Sequence, residues 1–433
     1  MFARRVAVVG TGYVGLTTGA CLASLGHRVV CADLDALKVA RLKAGQVDIL
    51  EPGLNELVVE GQAAGRLEFV VGARNAVADA EVVFLCLPTP MGAGGAADLS
   101  AVESVAEEIR EVLPYGCVVV CKSTVPVGTS ERVKALLQRE DVAAVSNPEF
   151  LREGTAVRDF LHPDRIVVGS DSPQAAERVA ALFAKLGAPT VLMDAASSEM
   201  VKYAANCFLA MKLSYVNAVA ELCELLGADV TSVCEGMGYD KRIGQSFLKP
   251  GPGWGGSCLP KDTHALVQIA ESVGVDFTLI KSTIEANVRQ QQRIVGKVRD
   301  AVGGELAGVR VGVLGLAFKA GTNDLRDSPA LAVAEQLVLE GADLSAYDPE
   351  VTGPLAGMLV VDDPYQAVKG AEAVVVLTDW PVFRTLDWVR IADLTDGHAI
   401  IDSRNHLDED ALVRAGLVHS GVGRAPLARP QFS

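Results

Sequence analysis

The chain has 433 residues, a formal charge of −15 at pH 7 and a hydrophobic content of 50%. This length exceeds what a single hydrophobic core normally supports, which predicts at least two domains. The acidic balance argues against a nonspecific grip on nucleic acid, which needs clustered lysine and arginine. There is also no uninterrupted apolar run long enough for a membrane span. We therefore expect a soluble, cytoplasmic protein without nucleic-acid or membrane partners.

The N-terminal residues have the pattern of a βαβ unit. An apolar strand at 6–9 leads into the loop Gly10-Thr11-Gly12-Tyr13-Val14-Gly15. A helix follows to about Leu25, and a second strand at 28–32 ends beside Asp33. A GxGxxG loop in this context, with an acidic residue about twenty positions later, is typical of dinucleotide-binding folds. Its glycines allow a tight turn and bring a pyrophosphate to the helix N-terminus.

The cofactor predicted from this loop is NAD. Asp33 is placed to accept a hydrogen bond from the adenosine ribose, and its carboxylate would repel the 2′-phosphate of NADP. Lys38 could still approach a phosphate, so this preference is not absolute. A tight glycine turn that binds nothing, and a loop that binds a flavin, are the alternatives.

The order of patterns along the chain predicts three domains. Strands and helices alternate through residues 1–195, which indicates a doubly wound, mostly parallel sheet. Long apolar and amphipathic helical runs fill residues 196–300, and strands return in 301–433. The later strands expected in the first domain lie at 82–87, 118–122 and 166–169. The predicted fold class is α/β, with two Rossmann-like doubly wound domains joined by a long central helical segment.

The third domain repeats the first. Residues 309–315 resemble 6–12, and residues 342–348 resemble 27–33. Such self-similarity predicts a second nucleotide-binding domain. We expect the ligands to bind in a cleft between the two ends of the chain, because clefts between domains are favoured ligand sites.

One cysteine stands out among nine that show no CxxC pairing, so we assign no metal and expect most of them to be small buried hydrophobes. Cys258 lies in the Gly- and Pro-rich segment 250–262, a flexible loop followed by a helix start. Ser257 is a plausible N-cap and Pro260 suits the first turn, which would place the thiol where the helix dipole lowers its pKa. Asp262, one turn later, can face the same site. A structural cysteine is the alternative.

Two other segments carry unusual polar residues. Lys202 and Asn206 are four positions apart on a largely apolar helix, where a buried ammonium is costly unless it is paired or employed. Together they could stabilise a developing oxyanion. Glu149 and Glu153, in Asn147-Pro148-Glu149-Phe150-Leu151-Arg152-Glu153-Gly154, follow a strand-like segment, where such sheets bind ligands. A snorkelling surface lysine and an exposed pair of carboxylates are the alternatives.

Taken together, these segments resemble the UDP-glucose 6-dehydrogenase family over essentially the whole chain. The motifs that occur in the family's order are GxGYVG, Pro88-Thr89-Pro90, Lys122-Ser123-Thr124-Val125-Pro126, NPEFLREG, the Lys–Asn helix, GGSCLPKD and Ala317-Phe318-Lys319. The resemblance implies an NAD-dependent oxidoreductase that oxidises sugar C6 of UDP-glucose by four electrons. The product would be UDP-glucuronate, a precursor for polysaccharide biosynthesis.

The resemblance also implies the catalytic roles. Cys258 would attack an aldehyde-level sugar to give a thiohemiacetal, which is oxidised to a thioester and hydrolysed by water. Lys202 and Asn206 would hold the C6 oxygen as charge develops. The residues that would position water and relay protons are Asp262, Glu149 and Thr124. Which of them acts as the base stays open.

Two sets of binding residues follow from the same resemblance. Those for the sugar nucleotide are Glu149, Phe150, Leu151, Lys202, Asn206, Arg242, Phe247, Leu248, Lys249, Gly255, Phe318, Lys319 and Arg404. Those for NAD are Gly10, Gly12, Tyr13, Val14, Gly15, Asp33, Lys38, Pro88, Thr89, Thr124, Glu153 and Arg326. Arg242 resembles an arginine that reaches the substrate from a neighbouring subunit, which implies a homodimer. A lone surface arginine is the alternative.

Related activities remain as alternatives. GDP-mannose 6-dehydrogenases share most of these motifs, including the cysteine, but the passages 159–169 and 252–258 look more typical of the UDP-glucose branch. UDP-N-acetylhexosamine dehydrogenases share the architecture, and a different sequence is expected there in place of 147–154. A two-domain NAD-binding sensor without catalysis would have no need of the cysteine, lysine, asparagine and aspartate together.

Overall fold

The computed structural model describes residues 3–424. Residues 1–2 and 425–433, at the ends of the predicted first and third domains, lie outside the described residues. Within the described range, no helix is long and apolar enough to cross a membrane.

The chain divides into two compact units. One runs to Ala205 and also includes His264–Gly274, and the other contains Asn206–Thr263 and continues from Val275. The chain thus crosses between the units more than once.

The first unit contains a sheet of eight strands. They are β1 (Arg5–Val9), β2 (Arg28–Asp33), β3 (Leu67–Val71), β4 (Val82–Leu85), β5 (Val118–Cys121), β6 (Ala143–Ser146), β7 (Ile166–Gly169) and β8 (Thr190–Met193). Their spatial order is β3-β2-β1-β4-β5-β6-β7-β8. Neighbours run parallel except β6 and β7, which meet in one antiparallel pair between Ser146 and Gly169. The order reverses between β1 and β4, and doubly wound sheets bind their ligands at such a switch point.

Both faces of this sheet are buried. In β1, Val6 and Val8 belong to one core cluster, and Ala7 and Val9 belong to another. Burial on both sides explains the continuous apolar sequences of the central strands. The helices of this unit are α1 (Tyr13–Ser24), α2 (Ala36–Lys43), α3 (Leu54–Ala63), α4 (Ala73–Val77), α5 (Ser100–Ile109), α6 (Thr129–Leu137), α7 (Ala156–Leu161) and α8 (Pro173–Leu182).

The middle of the chain is helical, as predicted. Its helices are α9 (Ala195–Leu226), α10 (Val230–Gly238), α11 (Leu259–Ser272) and α12 (Thr278–Ala301). The division into units falls inside α9, after Ala205, and inside α11, after Thr263. Each of these two helices therefore contributes residues to both units.

The second unit contains a parallel sheet of six strands. They are β9 (Arg310–Leu314), β10 (Asp343–Tyr347), β11 (Met358–Val361), β12 (Ala373–Val376), β13 (Ala399–Asp402) and β14 (Val418–Gly421). Their order is β11-β10-β9-β12-β13-β14, the same order as the first six strands of the other sheet. The helices that follow α12 are α13 (Pro329–Leu339), α14 (Pro364–Ala367), α15 (Trp388–Leu394) and α16 (Glu409–Arg414). The predicted fold class is confirmed: two Rossmann-like α/β domains with a long helix between them.

The internal repeat extends to single backbone hydrogen bonds. The N–H of Gly10 donates to the carbonyl of Ala32 at 2.8 Å, and the N–H of Gly315 donates to the carbonyl of Tyr347 at 2.8 Å. In both sheets this bond joins the turn after the first strand to the end of the second strand. The likeness between residues 6–12 and 309–315 is therefore a likeness of structure.

The acidic residue after the second strand differs between the two copies. In the second unit, Asp348 is 3% exposed and accepts hydrogen bonds from the N–H groups of Leu316 and Ala317, at 2.7 and 3.0 Å. The indole N–H of Trp380 donates to the same carboxylate at 3.0 Å. Both aspartates accept hydrogen bonds from protein groups, but Asp348 is buried whereas Asp33 is only partly buried.

Replacing Asp348 by alanine should destabilise the second unit. Three buried donors would lose their acceptor, and we expect a loss of about 3 kcal/mol in the free energy of unfolding. The three tryptophans, Trp254, Trp380 and Trp388, all belong to this unit, so their fluorescence during urea unfolding reports on it. Asp343→Ala, on the exposed end of β10, is the control. Equal unfolding midpoints for the two variants would contradict the role of Asp348.

Candidate active site

The loop between β1 and α1 leaves little room for side chains. Gly10 has a φ of +94°, and a Cβ there would lie 2.4 Å from the carbonyl oxygen of Cys86. A Cβ on Gly15 would lie 1.9 Å from the carbonyl oxygen of Gly10, so α1 packs directly on the loop. Gly12 is the N-cap of α1, and a Cβ there would meet no atom of the described residues within 4 Å. A pyrophosphate fits this open place, because the N–H groups of a helix N-terminus attract anions.

Asp33, at the end of β2, is fixed in its ionised form. Its carboxylate accepts hydrogen bonds from the N–H and hydroxyl of Thr11, at 3.1 and 2.6 Å, and from Lys38 Nζ at 3.1 Å. Burial alone would raise the pKa of Asp33, but these bonds and one from the N–H of Asp35 lower it to about 2. A permanent negative charge at the ribose position fits NAD better than NADP.

The loops after β4 and β5 also meet. The hydroxyl of Thr89 donates to the carbonyl of Thr124 at 2.9 Å, and both residues are buried. The segment after Thr124 is held by Glu199 of α9, which accepts from the N–H groups of Gly128 and Ser130 at 2.7 and 2.8 Å. Burial raises the pKa of Glu199. Sequence reasoning had missed Glu199, because its partners lie far away along the chain.

Lys202 and Glu149 form a buried ion pair in the first unit. Lys202 Nζ donates to the carboxylate of Glu149 at 2.9 Å and to its carbonyl at 2.7 Å. The two side chains are 4% and 6% exposed. Burial opposes ionisation of Glu149, but the charge and hydrogen bond of Lys202 and the N–H of Leu151 lower its pKa below the usual value. Lys202 is therefore not a surface lysine that reaches into solvent, and Glu149 is not an exposed carboxylate.

A second buried lysine lies close by. Lys122 Nζ donates to the amide oxygen of Asn147 at 3.1 Å, and Asn147 in turn donates to the carbonyl of Val167 at 2.7 Å. Burial lowers the pKa of Lys122 to about 8. The lysine belongs to a motif that the sequence singled out, yet no role had been predicted for it. It adds positive charge to the surroundings of Glu149.

Phe150 lies between two cations. The guanidinium of Arg165 stacks 3.6 Å from the centre of its ring, and Lys202 Nζ lies 5.3 Å from the same centre. Cations over an aromatic face are attracted by the negative electrostatic potential that the quadrupole of the ring creates there. These contacts fix the side chain that follows Glu149.

In the second unit, Asn206 is joined to Asp262. Asn206 Nδ2 donates to Asp262 at 2.6 Å, and Lys261 Nζ lies 2.5 Å from the other carboxylate oxygen. Asp262 is fully buried, and the thiol of Cys207 contacts its carbonyl at 3.7 Å. The carboxylate is therefore oriented by an amide and an ammonium. Asn206 donates one N–H of its amide to Asp262, and the second N–H of an amide can serve another acceptor; its contact with the sugar oxygen stays a prediction.

Cys258 is half-buried, whereas the other eight cysteines are buried as predicted. Helix α11 begins at Leu259, and the carbonyl of Cys258 accepts the first intrahelical bond, from the N–H of Asp262 at 2.9 Å. This bond makes Cys258 the N-cap residue, so the prediction of Ser257 as N-cap was wrong by one position. Cys258 therefore lies at the N-terminus of α11, the end of a helix that favours a negative charge; its reactivity stays a prediction.

The glycine-rich segment before Cys258 is a loop, as predicted, and buried hydrogen bonds anchor it. Trp254 is 4% exposed, and its indole donates to the hydroxyl of Ser214 at 2.8 Å. Asn287 bonds both the N–H and the carbonyl of Trp254, at 2.8 and 2.9 Å. Asn217 accepts from the N–H of Gly251 at 2.9 Å. The anchors are buried polar residues on the inner faces of α9 and α12, where apolar side chains are the rule.

Gly255 has no room for a side chain. A Cβ there would lie 1.9 Å from the carbonyl oxygen of Asp327, a residue with a φ of +46°. The same oxygen accepts from the N–H of Gly256 at 3.3 Å. The backbone just before Cys258 is therefore in direct contact with the segment that carries Arg326.

Phe318 and Arg404 also lie against the glycine-rich segment before Cys258. Arg404 donates to the carbonyls of Leu377 and Phe318, at 2.9 and 3.1 Å. Its guanidinium would lie 3.3 Å from a Cβ on Gly251, and the ring of Phe318 would lie 2.8 Å from a Cβ on Gly256. Burial lowers the pKa of Arg404, which arginine tolerates without losing its charge. A cation and an aromatic ring beside a glycine segment suit a nucleotide.

The predicted residues divide between the two units. Those in the first unit are Gly10, Gly12, Tyr13, Val14, Gly15, Asp33, Lys38, Pro88, Thr89, Thr124, Glu149, Phe150, Leu151, Glu153 and Lys202. Those in the second unit are Asn206, Arg242, Phe247, Leu248, Lys249, Gly255, Cys258, Asp262, Phe318, Lys319, Arg326 and Arg404.

Some of the second group are exposed within the chain. The side chain of Arg242 is 88% exposed and pairs with Asp240, and that of Arg326 is 65% exposed and pairs with Asp324. Lys249 is exposed as well. The structure of this chain therefore does not test the predicted ligand contacts of Arg242, Lys249 and Arg326.

Fold and loop together define a dinucleotide-binding oxidoreductase, and comparisons with known proteins identify its family. The three domain models of the UDP-glucose/GDP-mannose dehydrogenase family match the chain. The NAD binding domain covers residues 4–187, the central domain 196–289 and the UDP binding domain 312–409. The chain belongs to the UDP-glucose/GDP-mannose dehydrogenase family, whose cofactor is NAD.

Three similar proteins illustrate the match. UDP-glucose 6-dehydrogenase of Rhizobium meliloti is 43% identical over 97% of this chain and 99% of that protein. UDP-glucose 6-dehydrogenase TuaD of Bacillus subtilis is 43% identical over 97% of this chain and 93% of that protein. A solved UDP-glucose dehydrogenase structure from Pyrobaculum islandicum has a TM-score of 0.90 and 37% identity, and covers 98% of both chains.

Asp33→Ser should change the choice of cofactor. Without the carboxylate, the adenosine ribose of NAD loses its predicted acceptor and the 2′-phosphate of NADP loses a repulsive charge. We expect the Kd for NAD to rise about tenfold and the Kd for NADP to fall. Calorimetric titration of each dinucleotide measures both Kd values. Asp48→Ser, which removes an exposed carboxylate of the same unit, is the control. An unchanged Kd for NAD would remove Asp33 from the cofactor site.

Proposed function

We propose that this chain oxidises the C6 alcohol of UDP-glucose to a carboxylate, giving UDP-glucuronate, with two molecules of NAD consumed per sugar. The observation that carries the proposal is the near-complete coverage of relatives named UDP-glucose 6-dehydrogenase at 43% identity. The half-buried Cys258 at the start of α11 supports the covalent route.

The domains take different roles in this proposal. Residues 1–195 bind NAD through Gly10–Gly15 and Asp33, residues 196–300 form the dimer contact, and residues 301–433 bind the UDP-sugar. Bound NAD supplies the hydride acceptor at each oxidation. The chain's own residues bind, orient and move protons around the sugar.

The first oxidation needs a positive charge near the C6 oxygen. As the alcohol loses a proton and a hydride, negative charge develops on that oxygen. We assign its stabilisation to Lys202, a buried ammonium held by Glu149. Lys202 and Glu149 are both largely shielded from water. The low dielectric constant of such surroundings makes electrostatic interactions stronger than they are in water.

The second oxidation uses Cys258. Its thiolate adds to the aldehyde carbon and forms a C–S bond while the carbonyl oxygen takes a proton, which gives a thiohemiacetal. Loss of the hydroxyl proton and of a second hydride from C6 converts this to a thioester. Water then attacks the thioester carbon and the C–S bond breaks; one proton of the water returns to the Cys258 sulfur, the other is released, and the sugar leaves as a carboxylate. We assign the orientation of that water to Asp262, which Asn206 and Lys261 hold in place.

The substrate's nucleotide carries two phosphates, and the chain is acidic as a whole. A local excess of positive charge must therefore attract it. We assign this role to Arg404 and Lys319, whose ammonium lies 5.3 Å from the centre of the Phe318 ring. Arg404 is already oriented by two backbone carbonyls, which lowers the entropy lost on binding.

We also propose a homodimer that works in the cytoplasm. Helix α9 exposes Phe208, Tyr215 and Leu222, each more than half exposed and spaced seven residues apart. Two turns of helix separate such positions, so the three side chains form one apolar stripe. Exposed apolar patches of this kind mark protein contacts. The exposed Arg242 is then available to a neighbouring subunit.

Stoichiometry tests the reaction. Purified protein with limiting UDP-glucose and excess NAD should form about two NADH per sugar, because both oxidations occur at the same carbon. The measurement is absorbance of NADH against sugar consumed, with GDP-mannose and a UDP-N-acetylhexosamine as competing substrates. If UDP-glucose gave no NADH, UDP-glucose would be excluded as the substrate. If GDP-mannose turned over faster, GDP-mannose would be the preferred substrate.

The nucleophile has its own test. Cys258→Ser should abolish complete turnover and leave the Kd for NAD unchanged, since the dinucleotide loop belongs to the other unit. Cys234→Ala, a buried cysteine of the same unit, serves as the matched control. Full turnover by the Cys258→Ser protein would exclude a covalent role for this residue.

A further inference from the structure

A buried carboxylate outside the predicted site receives three hydrogen bonds. Glu51, between α2 and α3, is 7% exposed. It accepts from the hydroxyl of Tyr13, from the N–H of Gly154 at 2.8 Å and from the N–H of Val157 at 3.3 Å. Its partners come from two segments that lie far apart in the sequence, and all four residues belong to the first unit.

The first of these segments is the dinucleotide loop. Tyr13 is the first residue of α1, directly after Gly12. Besides its bond to Glu51, the Tyr13 hydroxyl lies 3.1 Å from the carbonyl oxygen of Arg152. Burial and the neighbouring carboxylate raise the pKa of Tyr13, so its hydroxyl keeps the proton that it donates.

The second segment, 147–154, carries the glutamate that holds Lys202. Its beginning is fixed by Asn147, which donates to the carbonyl of Val167 at 2.7 Å, and its middle by the pair of Glu149 and Lys202. Its end is fixed by Glu51, through the N–H of Gly154. Without Glu51, the end of the segment loses a buried acceptor.

We propose that Glu51 is a positioning residue that joins the dinucleotide loop to the segment 147–154, so that NAD and the sugar nucleotide each meet a binding conformation already formed. The sugar half of this inference rests on the proposed function. All the bonds that Glu51 accepts come from protein groups, so they do not require a bound ligand. Binding groups that are ordered in advance lose less entropy when the ligand arrives.

Glu51→Gln and Tyr13→Phe separate the two halves of the junction. The first weakens all three bonds. The second removes the two contacts of the Tyr13 hydroxyl, to Glu51 and to the carbonyl of Arg152, and keeps the bonds from Gly154 and Val157 to Glu51. Glu60→Gln, an exposed glutamate on α3, is the matched control. For Glu51→Gln we expect the KM for NAD and the KM for UDP-glucose to rise together, each about tenfold, with a smaller change in kcat.

Tyr13→Phe makes the decisive comparison. The residue belongs to the dinucleotide loop, yet we expect the KM for UDP-glucose to rise severalfold as well, because the junction is cut. A rise in the KM for NAD alone would show that the two segments are independent and would overturn the proposal. If Glu51→Gln fails to fold, as judged by circular dichroism, Tyr13→Phe still decides between these outcomes.

Hydrogen exchange tests the junction without turnover. In Glu51→Gln, the amides of Gly154 and Val157 should exchange faster than in the wild-type protein and in Glu60→Gln, because their acceptor is weakened. Unchanged exchange at both amides would overturn the proposal. This measurement needs no substrate, so it stands even if the wild-type protein fails to reduce NAD with UDP-glucose, an outcome that would refute only the proposed function.

Discussion

The candidate site residues of the first unit depend on one constraint: strands β1 to β6 run parallel, so all six end at the same edge of the sheet. The loops after β1, β2, β4, β5 and β6 therefore lie along one edge of the sheet, although they span more than a hundred residues of sequence. This edge brings together the glycine loop, Asp33, the contact between Thr89 and Thr124, and the segment that carries Glu149. The order of strands reverses between β1 and β4, which opens space for a ligand where the glycine loop begins.

Charges buried near that edge are stable only because each has a partner. An isolated ammonium or carboxylate in the interior would cost several kcal/mol. Lys202 is paired with Glu149, Lys122 donates to Asn147, and Glu199 accepts from backbone N–H groups and a hydroxyl. The same pairing fixes the geometry of the segments that carry these residues. Burial thus fixes the positions of the charged groups and also strengthens their electrostatic interactions.

The sequence was sufficient for features whose cause is local. The glycine loop, its helix and Asp33 follow from a short pattern in which each residue type has a steric or electrostatic reason. The repeat at 309–315 was recognisable for the same reason, and so were the long helices α9 and α12. Cys258 could be placed near a helix start because Pro260 marks the first turn, although the N-cap itself was assigned one residue too early.

Features whose cause lies far along the chain could not be found this way. Glu51 and Glu199 look like ordinary surface glutamates until the fold brings backbone N–H groups to them. The segment around Trp254 has the composition of a flexible loop, and the sequence does not show that Asn287 and Ser214, on helices elsewhere, form hydrogen bonds with it. Strand β8 has the short apolar sequence Thr-Val-Leu-Met but is largely exposed, so its place at the end of the sheet depends on its pairing with β7 rather than on burial.

The two copies of the Rossmann-like fold share the order of their first six strands but enclose their aspartates to different degrees. Both keep the glycine turn and an aspartate that accepts from the turn's backbone N–H groups. In the second copy, the carboxylate is buried and also accepts from the indole of Trp380. Trp380 is part of the core of this unit. Any replacement of Trp380 that freed the carboxylate would therefore also weaken the domain.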